Sequence, residues 1–427
     1  MVGASGHRAI DRCLELGKQP FSATSNSLYR GYLTSAHAAA VNRTSEWMQE
    51  AGMTVRMDAA GNLIGRYEAV APDRKVLLIG SHIDSVRNGG CYDGPLGVML
   101  GIECVAALNA AGKRMPFAIE VIAFGDEEGS RFEVAMMCSR AVVGEVVTGA
   151  ADLQDADGVT MAQALYHFES ELSIPMPEGS LSAARRHPGD VLAFLEAHIE
   201  QGPVLEAEDL SVGAVSGIAA QLRYEVRIKG DAGHAGTTAM HLRRDALAGA
   251  AEIMVEIERL AGLGDVDEVA TVGRIEAFPG AANVVPGETR FLLDVRAGDQ
   301  TRRDALADRI IQRAEDICRR RKLEITLGKL QDLAAAPCDP DLVNLMEDAL
   351  EACGQKRRTL VSGAGHDAMI LSELCPAVML FIRCEGGISH NPAEHAEPAD
   401  AEDALQVMMK FLELMEARAD DRLLQAN

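Results

Sequence analysis

Of the eleven histidines in this 427-residue chain, three stand where apolar stretches give way to turns: His82 in GSHIDSV, His198 in EAHIEQGP and His390 in GGISHNP. Sites in open α/β sheets form beyond the carboxyl ends of strands, and imidazole is the commonest metal ligand there. Carboxylates accompany them. Asp93 lies in the glycine-rich GGCYDGPLG, and Glu127 and Glu128 directly follow the apolar run FAIEVIAF. Taken one at a time, each has an ordinary reading: a packed histidine, a solvated glutamate pair, a turn aspartate. Together, three imidazoles and two or three acids reaching one rim make a mixed nitrogen and oxygen donor set suited to Zn²⁺ or Mn²⁺. The same donors serve both ions, so the sequence leaves the metal open.

Such a rim needs strands and helices to place it. Lys75 to Gly80 (KVLLIG), Phe117 to Phe124 and Val191 to Ala197 (VLAFLEA) are continuous apolar runs, and Leu96 to Ala111 between the first two has helical character. Buried strands alternating with helices predict an α/β layer with a largely parallel sheet. The texture changes at Tyr224 to Lys229 (YEVRIK) and Arg290 to Arg296 (RFLLDVR), which alternate polar and apolar residues as half-exposed strands do. The order there is a strand near 211–230, a helix near 241–262, strands near 268–277 and 288–297, a helix near 301–321 and a strand near 323–328. This βαββαβ order predicts a ferredoxin-like unit inserted into the first domain. From about Asp339 the α/β character returns, with Ala377 to Ile382 as a buried strand and Ala401 to Ala417 as a closing helix. The expected domains are therefore 1–210 with 330–427, and 211–329. Ser170 to Asp190 is expected to be an exposed loop.

Composition narrows the partners. A formal charge of −23 repels nucleic acid and anionic membranes. The one dense basic run, Arg319 to Lys322, ends a predicted helix, where cations complement the dipole. Nine scattered cysteines, without a CxxC pair, and no secretory leader pattern favour reduced thiols and a cytoplasmic address. No apolar run reaches the roughly 18 residues of a membrane span.

The motifs GSHIDSV, GCYDGPLG, GDEEGSRF, HIEQGPVLE, GHAGTTAM, NVVPG, SGAGHDA and GGISHNPAE, in this order over about residues 60–400, carry a resemblance. The chain resembles the hydantoinase/carbamoylase branch of the dinuclear zinc aminopeptidase-like amidohydrolases. Allantoate amidohydrolase, N-carbamoyl-L-amino-acid hydrolase and β-ureidopropionase belong to that branch. The resemblance implies a zinc-aminopeptidase-like catalytic domain with a mixed, mostly parallel sheet, and an inserted lid and dimerisation domain. It also implies two divalent ions, one held by His82, Asp93 and His198 and the other by Asp93, Glu128 and His390. Asp93 would bridge them, next to a cis peptide to Gly94.

By the same resemblance Glu127 is the general base and Asp84 fixes the His82 imidazole. His234 would donate to the developing oxyanion from the partner subunit of a homodimer. Arg296 would clamp the substrate carboxylate, with Arg223, Asn283 and Gln201 as further substrate contacts and His366 a weaker candidate. Two departures stand out: Ala239 replaces a proline common in GTTPM, which would loosen the His234 loop, and Cys91 lies beside the bridging ligand. Histidine in HIEQGP, where peptidase relatives carry an acid, favours the amidohydrolases over dipeptidases. The implied substrate is a small ureido carboxylate, with allantoate preferred to N-carbamoyl-L-amino acids. A metal-free binding protein on the same fold is the alternative from another class, and it would be signalled by loss of Glu127 or a ligand; all are present.

Overall fold

A computed structural model describes residues 4–72 and 74–425. The chain divides into two compact units. The larger comprises the N-terminal part to Ser216, residues 338–360 and the part from His366 onward, and the smaller comprises 217–337 with 361–365.

In the larger unit the sheet runs, in spatial order, Thr54–Met57, Leu63–Tyr67, Ala118–Phe124, Val76–His82, Val191–Ile199, Ala377–Ile382 and Val212–Ile218. The four strands Ala118–Phe124, Val76–His82, Val191–Ile199 and Ala377–Ile382 are mutually parallel, and those flanking them are antiparallel. Every residue of Val76–His82, Ala118–Phe124 and Ala377–Ile382 is buried. Covered on both faces, such strands are mostly apolar, with Glu120 a buried exception, which is why they lack alternation. The helix Pro95–Ala110 packs on these strands and is buried nearly all round, so it too is mostly apolar, its buried Glu103 paired with Arg8 and Arg12. Its N-terminus directly follows Asp93.

The smaller unit has the order strand Ala220–Lys229, helix Ala246–Ala261, strands Val269–Phe278 and Glu288–Ala297, helix Gln300–Arg321 and strand Glu324–Leu333. Its four long strands are antiparallel, arranged fourth, first, third, second. Burial along Glu288–Ala297 alternates at every residue. Phe291, Leu293 and Val295 face a core with Ile253, Ile257, Leu306, Ile310 and Ile317 from the two helices. Asp294 and Arg296 therefore lie on the opposite face. The Arg319 to Arg321 run does end its helix, where Arg320 and Arg321 pair with Glu252.

The stretch near 211–230 is two strands, Val212–Ile218 in the large sheet and Ala220–Lys229 in the small one. No proline or turn cluster marks the change of sheet, so the sequence pattern runs straight through it. The Ser170 to Asp190 segment is largely exposed but contains two short 3-10 turns. Among the described residues no helix is long and apolar enough to cross a membrane, and all nine cysteines are free.

Candidate metal centre and substrate-binding residues

The carboxyl ends of the parallel strands bring the histidines and acids together. His82 is the last residue of its strand, His198 the penultimate one of Val191–Ile199, and Glu127 and Glu128 lie in the turn after Ala118–Phe124. Asp93 sits among them. Its Oδ1 lies 3.1 Å from His198 Nε2 and 3.7 Å from His82 Nε2. Its Oδ2 lies 3.2 Å from His390 Nε2, which is itself 3.6 Å from Glu128 Oε2. Thus His82, Asp93 and His198 form one cluster of ligand atoms, and Asp93, Glu128 and His390 a second. His82 also groups with Glu127 and Glu128.

These spacings test whether ions fit. Donors about 2.1 Å from one tetrahedral ion lie about 3.4 Å from each other, and the observed separations of 3.1–3.7 Å bracket that value. The two oxygens of Asp93 face different histidines, as a bridging carboxylate requires. The residues present fit a pair of divalent cations.

The surroundings fix several of these donors. His198 Nδ1 lies 2.8 Å from the Ile199 carbonyl, so the tautomer that donates there leaves Nε2 free for a ligand. Asp84 lies 3.3 Å from His82 Nδ1, and its two oxygens accept the backbone N–H groups of Glu127 and Glu128 at 3.1 and 3.2 Å. One buried carboxylate thereby positions the glutamate turn and faces an imidazole. Gly94 adopts φ 84°, and a Cβ there would come within 2.5 Å of the His82 ring. The expected cis peptide between Asp93 and Gly94 is not found; among the described residues the cis bonds are Gln19–Pro20 and Phe278–Pro279. Glycine's access to positive φ makes the tight turn.

Three residues that sequence reasoning passed over or placed elsewhere hold Asp93. Glu394 Oε1 accepts the backbone N–H groups of Tyr92 and Asp93 at 2.9 and 3.0 Å. Ser389 Oγ is 2.9 Å from Asp93 Oδ2 and 3.2 Å from Glu394 Oε2. Gln201 Nε2 donates to Asp93 Oδ2 and to Ser389 Oγ, both at 3.0 Å, while its buried Oε1 has no hydrogen-bond partner. Glu394 was hidden because NPAEH reads as an ordinary turn. Its place beside a ligand motif was the available signal.

The electrostatics follow from crowding acids out of water. Burial first, then neighbouring acids, raises the Glu127 carboxyl well above its usual range despite the opposing effect of His82. Burial and the Asp93 charge push Glu128 up to about 7, and the same two causes push Glu394 to about 7. Burial opposes the ionised form of Asp93, but contacts with His198, His390 and His82 outweigh it and hold that carboxyl well below the usual range. The contact with Asp93 raises His390 to about 9. Acids gathered in this way are relieved by cations. His366 is buried with its ring 4.4 Å from that of His198, and burial lowers its pKa well below normal. It lies against His198 of the first cluster. Burial raises the Cys91 thiol to about 11, which disfavours the reactive thiolate.

In the smaller unit Arg223 and Arg296 meet on Asp294. Arg223 Nη2 is 2.9 Å from Asp294 Oδ2, and Arg296 Nε is 2.7 Å from Oδ1. Arg296 also donates to the Gly363 carbonyl. Asp294 faces Arg223 across the strands, and Arg296 faces Gln221. His234 is exposed and accepts the Gly236 N–H on Nδ1 at 3.1 Å, so its other nitrogen carries the proton in the neutral ring. Asn283 is exposed, and its carbonyl accepts the Ala235 N–H at 2.9 Å, tying the two segments together. Ala239 does not leave this loop untethered, because Arg243 donates to the carbonyls of Thr238 and Ala235.

Comparison with known proteins gives concordant results. Residues 78–414 match the peptidase family M20/M25/M40. An N-carbamoyl-L-amino acid amidohydrolase of Geobacillus stearothermophilus is 41% identical over 94% of this chain and 97% of its own length. Allantoate deiminase 2 of Glycine max is 36% identical over 95% of this chain and 88% of its own length. The crystal structure of a hydantoinase/carbamoylase family amidase from Burkholderia multivorans superposes with a TM-score of 0.88 at 32% identity, covering 97% of this chain and 98% of that one.

Proposed function

Because the chain belongs to the peptidase family M20/M25/M40, within its hydantoinase/carbamoylase amidohydrolases, we propose that it uses two divalent ions, Zn²⁺ or Mn²⁺, to hydrolyse the ureido C–N bond of a small carboxylate. The observation that carries this is the sharing of Asp93 between the His82–His198 and the Glu128–His390 groups. When bound, the ions supply Lewis acidity to water and to the scissile carbonyl. Glu127 takes the proton from the attacking water and passes it to the departing nitrogen. Asp84 holds Glu127 and Glu128 through their backbone, and Glu394, Ser389 and Gln201 keep Asp93 in its bridging orientation. The free Oε1 of Gln201 accepts a ureido N–H.

The residues of the smaller unit serve the substrate. Arg296 and Arg223 bind its carboxylate, with Asp294 setting the plane of both guanidiniums, and Asn283 adds a contact. His234, with its proton on Nε2, stabilises the developing oxyanion. It acts from the partner of a homodimer, and the smaller unit is the lid and dimerisation domain of that assembly.

An N-carbamoyl-L-amino acid is the first substrate reading, supported by relatives of that name at 41% and 42% identity. Allantoate, the substrate preferred from the motifs, is the second, supported by plant allantoate deiminases at 36% identity. A product assay with Mn²⁺- and Zn²⁺-loaded protein separates them. Release of a free amino acid from N-carbamoyl-L-amino acids supports the first. Ammonia with ureidoglycine or glyoxylate from allantoate supports the second, and cleavage of dipeptides alone refutes both.

A further inference from the structure

The amino ends of the parallel strands carry a feature that hydrolysis at their carboxyl ends does not use. An open cavity of about 530 Å³ lies beside Val76, the first residue of the strand ending in His82, and beside Gly189 and Asp190, which lead into Val191–Ile199. The strand between Val76 and His82 spans roughly 20 Å, so this cavity is remote from the metal ligands. Its wall contains six cations, Arg56, Arg66, Arg74, Lys75, Arg185 and Arg186, against the carboxylates of Asp58 and Asp190.

The acids do not cancel the cations. Asp58 is buried and turned inward, accepting from the backbone of Ala60 and Asn62 and from Asn62 Nδ2 at 2.8–3.0 Å. Beneath the wall, the buried Glu120 lies 2.5 Å from Arg186, 3.1 Å from Arg66 and 3.6 Å from Arg56. Arg66 also pairs with Glu68 at 2.9 Å, so these three guanidiniums share two carboxylates and one of their charges is left unmatched. The side chains of Arg74, Lys75 and Arg185 have no hydrogen-bond or ion-pair partner among the described residues. In a chain of formal charge −23, gathering these cations around one concavity works against the prevailing field. Ile64, Val76 and Ala184 add buried apolar surface to the lining.

We propose that this cavity is a binding site for a small organic polyphosphate of the nucleoside triphosphate kind. Guanidiniums already oriented by Glu120 offer paired N–H donors to phosphate oxygens, and Lys75 and Arg74 supply further charge. Three or four negative charges match the uncompensated cations, which a single carboxylate or phosphate cannot do. The volume lies within the range of small-molecule sites, and the apolar wall suits a base or sugar face. The site is independent of the ureido substrate.

Calorimetric titration of the metal-loaded full chain tests this, using ATP and inorganic tripolyphosphate, each premixed with equimolar Mg²⁺ to limit stripping of the hydrolytic metals. Both probes should bind, more weakly as salt rises. The double variant Lys75→Glu, Arg185→Glu should bind both at least about tenfold more weakly, a loss of about 1.4 kcal/mol, with metal content and turnover unchanged. Absence of binding to the wild-type chain, or undiminished binding in a folded double variant, overturns the proposal. So does binding of polyglutamate in place of tripolyphosphate, which would assign the cavity to an acidic peptide.

Discussion

Asp93, proposed to be shared by two metals, and the residues proposed to bind the substrate are held in opposite ways. Asp93 is buried, with its backbone N–H on Glu394 and one of its oxygens bonded by Gln201 and Ser389. Arg223 and Arg296 lie on a half-exposed sheet face with Asp294 between them, and His234 and Asn283 are exposed. A bridging carboxylate must hold its geometry to a fraction of an ångström, whereas a clamp for a mobile ligand needs solvent access. Burial with many partners gives the first, and a ladder of cross-strand partners gives the second.

The sharpest way to break this contrast is to remove the base without disturbing its frame. Glu127→Gln should lower kcat by about 10³-fold, within the range for a lost general base, while elemental analysis finds the metals retained. Near-normal turnover would reassign the base. Arg296→Ala should raise KM by about 10²-fold with metal content unchanged, as for truncation of one partner of a charged contact. An unchanged KM would remove Arg296 from substrate binding. Glu394→Ala should weaken metal binding by about tenfold or more in a chelator competition, with recovery in Glu394→Gln, which keeps an acceptor for the backbone of Asp93. Equal losses in both variants would show that charge, and not positioning, is the contribution.

The smallest effect concerns stability. His37 is buried, stacks on Phe168 at 4.9 Å and accepts the Leu33 N–H, and burial aided by Arg30 and Arg131 lowers its pKa from 6.5 to about 3. Its neutral form favours the fold, so its contribution is complete above pH 6.5 and declines as pH falls toward 3. The slope is about 1.4 kcal/mol per pH unit at most. His37→Gln should therefore flatten the fall in hydrogen-exchange protection of the larger unit on acidification relative to the parent chain. An unchanged pH dependence in the variant would refute it.

Much of the larger unit was legible because doubly covered strands are mostly apolar, and two of them end at the histidines themselves. The smaller unit was equally plain from its alternation. The junction near Ala219 was not, because a chain can leave one sheet for another without a turn residue to record it. Glu394 and Ser389 escaped notice for a related reason: their partner Asp93 lies some three hundred residues away in sequence.

The sequence by itself determined which donors exist, their order along the chain and the strands that end in them. Tertiary structure alone decided that Asp93 presents one oxygen to His82 and His198 and the other to His390, since only parallel strands side by side bring those three segments within 4 Å of it. It also decided where cations gather, since Arg56, Arg66, Lys75 and Arg186 come from separate strands and turns and meet only at the amino ends of the sheet. Charge is written residue by residue, but its field belongs to the fold.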